Sequence, residues 1–527
     1  MITYFMRQSF WLVIILIIGI TVRVVNFGQI PPGLNQDEAS IGYESFATLK
    51  YGVDRNGYKN PVVFIAYGDG QHGLYAYLSW PWIALFGLNE FSTRLTGLFL
   101  AIVSLWCFYY LIKLISNQNT ALISAFLLAI NPWHIIMSRW SPEFNILPAF
   151  FLFGVCLLTI SLKKPLVFPI AGFFLALGFY TYGAALFFVP VTVFLLFSVV
   201  ILSKKVPFVD IGIGVLVFLL ISLPALLYML INVYNYPELR TSLISIPHLT
   251  GSPRWSSISL LFQDNFLLNF FTNLISFLKL LLTTQFDGLI WNAIPEFGYL
   301  YLWSIPLMLF GLLITIKTIY LNVIKKQFNK QLIIFIWFIG AVSLGLISHV
   351  NLNRINTIYF PLIYFTAVGV VAIKNHYQQL FRFIIVLYLV FFILFTHHYF
   401  TIYPKDIGSA FFASFGQAIN YATKISPQDK KLVITNHVNM PYIYVLFYKQ
   451  IDPRKFANTV VYENPGADFQ NVKSFDRYIF GIDPSQLDQS DTFIFHNNEE
   501  EYFNNQQFII KRFDNFSVAS KINFYEK

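Results

Sequence analysis

The chain reads as a polytopic α-helical membrane protein with a small C-terminal α/β domain, on three observations. Its 527 residues are 56% hydrophobic and only 12% charged, with 58 Phe and 31 Tyr, far more apolar than a soluble globular chain. Apolar runs long enough to cross a bilayer recur along residues 1–400, as membrane-spanning helices require. Beyond Phe400 the composition turns polar and mixed, with short strand-like runs.

The first apolar run covers about residues 10–26. Arg7 precedes it, as in a secretory signal, but no small-residue cleavage site follows, so it is expected to stay as an anchor. Further runs lie near 91–115, 120–137, 145–162, 165–181, 184–202, 208–231, 299–320, 331–349, 357–373 and 381–400, which gives about eleven crossings. Arg7, Lys113, Lys163-Lys164, Lys204-Lys205, Lys325-Lys326 with Lys330, and Lys374 with Arg382 then all fall on one side. The positive-inside rule makes that side cytoplasmic. The N-terminus is expected inside, and the 27–90 loop, the 232–298 loop and the C-terminal segment outside. The net charge of +9 is thus a topology signal, and nucleic-acid binding is excluded as its explanation. Cys107 and Cys156 both fall within spans and suit packing rather than a disulfide or a metal site.

The first external loop is long for a connection, which marks it as functional. Its second half, Gly73–Gly87, is rich in Trp and Tyr and suits a helix lying in the outer interface. An added crossing would also fit that composition, but it would reverse every later loop against the lysine pattern. The 232–298 loop carries Arg240, Arg254, Glu238, Asp264 and Asp287. It is expected to hold a helix near 256–285 and to act as a lid. After Phe400, strands are expected at Lys431–Thr435, Arg477–Phe480, Asp491–Phe495 and Phe508–Phe513, with helices near 408–424 and 440–449. The division is therefore 1–400, a membrane domain, and 401–527, an extracytoplasmic α/β domain large enough for its own core.

Asp37 and Glu38, in Asn35-Gln36-Asp37-Glu38-Ala39, stand just past the first span in an acid-poor chain. A helix is expected to begin at the pair, so its dipole favours an ionised Asp37. There Asp37 can take a proton from an acceptor hydroxyl, although its spacing fits a helix-capping residue equally well. Glu143 and Arg139 share the turn Ser138-Arg139-Trp140-Ser141-Pro142-Glu143, where Arg139 can grip a phosphate in bidentate fashion or simply pair with Glu143. Arg94 and Arg354 also fall at the outer face, against the inside bias, and suit a phosphate ligand or a snorkelling side chain. Arg23, near the outer end of the first span, is expected to pair with a loop carboxylate. His72 and Tyr75 are expected to contact substrate. His72 has no second ligand at a recognisable spacing, so no metal site and no cofactor are expected there.

Together, Asp37-Glu38-Ala39, Gly52-Val53-Asp54, Asn60-Pro61, Leu74–Leu78, Phe86-Gly87-Leu88-Asn89-Glu90 and Thr93-Arg94-Leu95 resemble the protein O-mannosyltransferase and lipid A aminoarabinose transferase family, GT-C membrane glycosyltransferases. The Arg139–Asn145 turn resembles that family's second external loop, with Glu143 as the counterpart of its acid. The resemblance implies a sugar donor on a polyprenyl phosphate and an acceptor hydroxyl on an envelope glycan, lipid or protein. It also implies inversion with Asp37 as base, and arginines on the leaving phosphate. The developing charge can be met by arginine or by a divalent metal. Two departures leave the acceptor open. Gly70-Gln71-His72-Gly73 stands where the aminoarabinose transferases carry a Lys-Pro-Pro-like element, and no trefoil-like domain occupies a late loop. The competing function is a transporter or flippase for a lipid-linked sugar. It would gather polar groups at the bilayer midplane in two matching halves, whereas here they gather at the outer face.

Overall fold

The structure is a computed structural model, and it describes residues 2–251, 259–262, 264–467, 469–503 and 507–522. Arg254 lies outside the described residues. The chain folds as two compact units: Met1–Phe27, Gly97–Leu226 and Arg254–Tyr403 form the first, and Gly28–Thr96, Leu227–Pro253 and Pro404–Lys527 the second.

The first unit is helical. Among the described residues, eight helices are long and apolar enough to cross a membrane, and four shorter apolar helices accompany them. Eleven of these twelve match the runs expected from sequence. The twelfth is Phe266–Thr284, within the segment where a helix was expected in the second long loop. At one end of this unit the short connections meet. Lys330 donates to Leu114 O at 3.3 Å, and Lys205 lies over the Phe328 ring at 5.0 Å. Burial, then the nearby Lys163 and Lys205, lowers the Lys330 ammonium from its ordinary range. Four of the lysine-bearing connections, those of Lys113, Lys163, Lys205 and Lys330, therefore share one end, as their alternation along the sequence implies.

Arginine settles two helix ends in this unit. Helix α1 (Ile2–Val24) ends with carbonyls that have no intrahelical partner. The Arg139 guanidinium takes two of them and the carbonyl just beyond the helix, donating to Val22 O, Arg23 O and Val25 O at 3.2, 2.7 and 2.8 Å. Arg23 repeats the device at a helix over Gln118–Ala129, donating to Leu128 O and Ala129 O at 3.1 and 2.9 Å. It also donates to Gly19 O of its own helix at 2.7 Å and meets His134 Nδ1 at 2.8 Å. The expected Arg23–carboxylate pair is thus corrected: at a helix C-terminus, carbonyl dipoles supply the negative charge.

The second unit is built on α2 (Gln36–Tyr51). Asn35 caps it by accepting from the Asp37 N–H at 2.9 Å, and Glu38 completes a capping box by accepting from the Asn35 N–H at 3.2 Å. Gly52, at φ +74°, closes the other end, a conformation glycine adopts without penalty. A hairpin of β1 (Val63–Ala66) and β2 (Asp69–His72) follows. Both turn residues, Tyr67 and Gly68, have positive φ, as a tight two-residue hairpin requires. Then comes α3 (Leu74–Phe86). At 13 residues it is about 20 Å long, short of the ~30 Å hydrocarbon core.

A short antiparallel pair of β3 (Leu239–Arg240) and β4 (Ser245–Ile246) also belongs to this unit. The C-terminal segment adds a seven-stranded sheet in the order β10-β11-β9-β5-β8-β7-β6. Its strands are β5 (Leu432–Ile434), β6 (Val461–Tyr462), β7 (Val472–Phe475), β8 (Tyr478–Phe480), β9 (Thr492–His496), β10 (Phe508–Arg512) and β11 (Phe516–Lys521). Central β5 runs parallel to β8 and β9, and the other pairings are antiparallel. Side chains alternate across it. Leu432 and Ile434 join a core with α2 residues Ala39, Tyr43, Phe46 and Ala47 and with the helix Pro441–Lys449. Val433 faces a second cluster with Phe493 and Phe503. Packing on α2 is close: a Cβ at Gly42 would stand 2.7 Å from Phe447 and 2.8 Å from Thr93. Gly42→Ala is therefore expected to destabilise this unit by about 1–3 kcal/mol through overpacking, read as a lower midpoint in chemical denaturation. An unchanged midpoint would show that these helices part without cost.

Candidate functional site

The two first-loop acids have unlike surroundings. Glu38 is fully buried and faces the Arg94 guanidinium in a bidentate pair, with Nε to Oε1 and Nη2 to Oε2 both at 2.8 Å. Arg94 also donates to Pro31 O and Gly33 O, each at 2.7 Å. It thereby pins the chain that leads into α2. The adjacent carboxylate, Asp37, is half-buried in the first turn of the same helix, where free backbone N–H groups favour negative charge.

Two contacts hold the backbone around Asp37, and a third orients one of the donors. The Tyr67 hydroxyl donates to Gln36 O at 2.7 Å, and the Gln71 amide donates to Asp37 O at 3.3 Å. Ser40 Oγ donates to Gln71 Oε1 at 2.8 Å. Burial, then the Asp37 charge, holds the Tyr67 hydroxyl well above its usual range, so it remains a neutral donor. Tyr67 does this from φ +59°, uncommon for a bulky residue, and such strain collects at working sites.

Behind these groups lies a pair that sequence reasoning missed. Arg55 and Glu44 are both buried and form an ion pair, with the Arg55 N–H also donating to Glu44 Oε2 at 3.1 Å. Arg55 reaches Ser40 Oγ and the Tyr442 hydroxyl at 3.4 Å, and its guanidinium lies 5.4 Å from the Tyr67 ring. Burial opposes its charge, and Glu44, Tyr442 and Tyr67 together more than offset that, raising its pKa. Removing one partner of such a pair is costly. Glu44→Ala is expected to cost about 3–5 kcal/mol of stability in this unit, measured by denaturant titration. A loss under about 1 kcal/mol, the range of exposed pairs, would contradict the burial. The available signal was Asp54-Arg55, a charged pair directly after the Gly52 stop in an acid-poor chain.

The other expected residues divide between the units. His72 and Tyr75, like Asp37, Glu38 and Arg94, belong to the second. His72 ends β2 with its ring edge-on to Tyr228 at 6.3 Å, and Tyr75 donates its hydroxyl to Thr93 O at 3.1 Å. Arg139, Glu143 and Arg354 belong to the first. Arg139 is fully buried on the α1 carbonyls, with its guanidinium 5.4 and 5.2 Å from the Tyr399 and Phe400 rings. Glu143 is buried and opens a 3₁₀ turn over Glu143–Ile146. That turn is fixed by the Asn356 amide donating to Phe144 O at 2.9 Å.

Arg354 sits half-buried on the short helix Leu352–Ile355 and donates to His349 O at 2.6 Å. Asp287 anchors that helix, accepting from the Leu352 N–H at 2.9 Å and the Asn292 amide at 2.8 Å. Arg94 and Arg139, expected as phosphate ligands, thus have their guanidinium groups on Glu38 and on backbone carbonyls. Arg354 is the expected arginine that keeps partial exposure. Among the described residues, no group of three His, Cys, Asp or Glu side chains is placed to hold a metal ion.

Residues 73–228 match a family model described as dolichyl-phosphate-mannose-protein mannosyltransferase. No curated protein matches the sequence. Among solved structures, the chain is similar to ArnT from Cupriavidus metallidurans bound to undecaprenyl phosphate, with TM-score 0.58 and 12% identity over 97% of this chain and 98% of that one. It is similar to the apo state of ArnT from the same organism, with TM-score 0.56 and 12% identity over the same shares. The oligosaccharyltransferase AglB from Archaeoglobus fulgidus, in complex with an inhibitory peptide and a dolichol-phosphate, follows at TM-score 0.51 and 13% identity, over 94% of this chain and 70% of that one. In its apo form, the Archaeoglobus fulgidus oligosaccharyltransferase is the longer chain, and this protein spans 63% of it. The chain shares the fold of ArnT and AglB, the GT-C fold that the first-loop residues led us to expect.

Proposed function

We propose that the protein is a membrane glycosyltransferase that moves a sugar from a polyprenyl phosphate to an envelope glycan, lipid or protein hydroxyl at the outer face of the cell membrane. The observation that carries this reading is the unlike pair at the start of α2: Glu38 is locked by Arg94, while Asp37 stays half-exposed at a helix N-terminus. The family match and the fold, shared with proteins solved with undecaprenyl phosphate and dolichol-phosphate, supply the donor class.

In this reading the acceptor oxygen attacks the anomeric carbon from the face opposite the phosphate. Its proton passes to the Asp37 carboxylate, the carbon–phosphate-oxygen bond breaks, and polyprenyl phosphate leaves with inversion at the sugar. Arg354 supplies positive charge to the leaving phosphate, with Asp287 positioning its helix. Glu143 is the second acid of the reaction, and His72 and Tyr75 border the substrate. The lysine-bearing end of the first unit faces the cytoplasm with the N-terminus, and the C-terminal sheet lies outside.

The test is purified protein in lipid, supplied with polyprenyl-phosphate sugars, with release of polyprenyl phosphate followed over time. Consumption of a donor is expected. Movement of intact donor across the bilayer without consumption would replace the enzyme with a flippase. Arg354→Gln is expected to lower kcat about 10²-fold or more, as loss of one charge-stabilising donor does. Unchanged kcat in that variant would remove Arg354 from the reaction.

A further inference from the structure

The C-terminal sheet has a switch point in its connections. After β5 the chain leaves through the helix Pro441–Lys449 on the face of the α2 core. After β8 it leaves on the opposite face, where Ile482 and Leu487 pack on the second cluster. Parallel neighbours whose connections part in this way leave a crevice outside their carboxyl ends, the usual ligand position in open α/β sheets. The structure has a cavity there of about 420 Å³, lined by the residues that follow β5 and by the β6–β7 region. Its size falls within the range of small-molecule sites.

The lining defines the ligand. Asn436, Asn439 and Asn471 bring amides, Glu463 brings a carboxylate, and the half-buried Phe412 brings an aromatic ring, with Tyr442 buried in the wall. Among the described residues, no Lys or Arg lines the crevice, and the acid repels phosphates. Its His437 imidazole stands 3.7 Å from Glu499. Among the described residues, the three amides and the Glu463 carboxylate are exposed and bond no other protein group. Amides offer a donor and an acceptor side by side, which matches neighbouring hydroxyls, and an aromatic ring offers an apolar platform with a polar handle.

We propose that this crevice binds a neutral, hydroxyl-rich saccharide, the glycan part of the acceptor. The acceptor assignment rests on the transferase reading, whereas saccharide binding does not. Tyr442 connects the crevice to the site, since its hydroxyl receives Arg55 Nη1 at 3.4 Å and Arg55 reaches Ser40 on α2.

The experiment uses full-length protein in lipid nanodiscs with mannotriose, chitotriose and galactotriose, read by saturation-transfer NMR. At least one trisaccharide is expected to bind saturably. Asn439→Ala combined with Asn471→Ala is expected to weaken that binding about tenfold, as loss of two hydrogen bonds does, and Glu463→Gln to weaken it less. Asp37→Asn should bind like wild type, so absent binding and absent transfer are separate failures. The proposal is overturned if no trisaccharide binds, if the double variant binds as wild type does with an unchanged melting midpoint, or if inorganic pyrophosphate competes for the crevice.

Discussion

Asp37→Asn should lower sugar transfer by about 10²–10⁴-fold, the usual contribution of a positioned general base, and leave the protein folded. The substitution keeps the shape of the side chain and removes its basicity. The contacts that cap the start of α2 come from the backbone and from other side chains: Asn35 accepts from the Asp37 backbone N–H, Gln71 bonds its carbonyl, and Glu38 completes the cap. A merely capping Asp37 would predict the reverse, with little change in rate and a stability loss of about 1 kcal/mol. The measurement is release of polyprenyl phosphate by variant and wild type at matched folded fraction. Equal rates would remove Asp37 as base.

Arg94→Ala should lower the stability of the second unit by about 3–5 kcal/mol, because it strands the Glu38 carboxylate in a fully buried position. Arg94→Lys should recover little of this. One ammonium cannot reach both Glu38 oxygens, Pro31 O and Gly33 O in the fork geometry that the guanidinium matches. A phosphate-binding Arg94 would give a different signature, with intact stability and a raised KM for the donor. Thermal and denaturant midpoints of both variants, set beside their donor KM, separate the two roles. A stable Arg94→Ala protein with impaired donor binding would return Arg94 to the phosphate.

The readable parts of the chain were those with a local signal. Apolar runs gave the spans, and α2 begins beside Asp37 because Asn35 and Glu38 form a capping box whose pattern is visible in four residues. The helix at 441–449 and strands β5, β8, β9 and β10 also carry apolar patterns of their own. Strands β6 and β7 are short and partly exposed, so no such pattern marks them, and β11 was masked by the polar Asn515-Phe516-Ser517 start. The arginines were the hardest to read. Arg23 and Arg139 bond chiefly to carbonyl oxygens, Arg94 divides its bonds between them and Glu38, and a carbonyl has no letter in a sequence. Which carbonyl ends up unpaired beside which guanidinium is decided only when distant helices meet. Arg55 and Glu44 stand 11 residues apart, yet their pairing depends on a fold-back after Gly52 that composition does not announce.

The core around α2 has a consequence for the order in which the protein is made. Ala39, Tyr43 and Phe46 share it with Phe415, Ile443 and Phe447, and the Tyr43 hydroxyl donates to Ile451 O, 408 positions later. At about 5–20 residues per second, a ribosome leaves α2 without these partners for roughly 20–80 s. Throughout that interval the helix that carries Asp37 waits outside its core. A chain whose synthesis stops at Tyr403 would therefore hold every residue assigned to the reaction and still lack the packing that places the base.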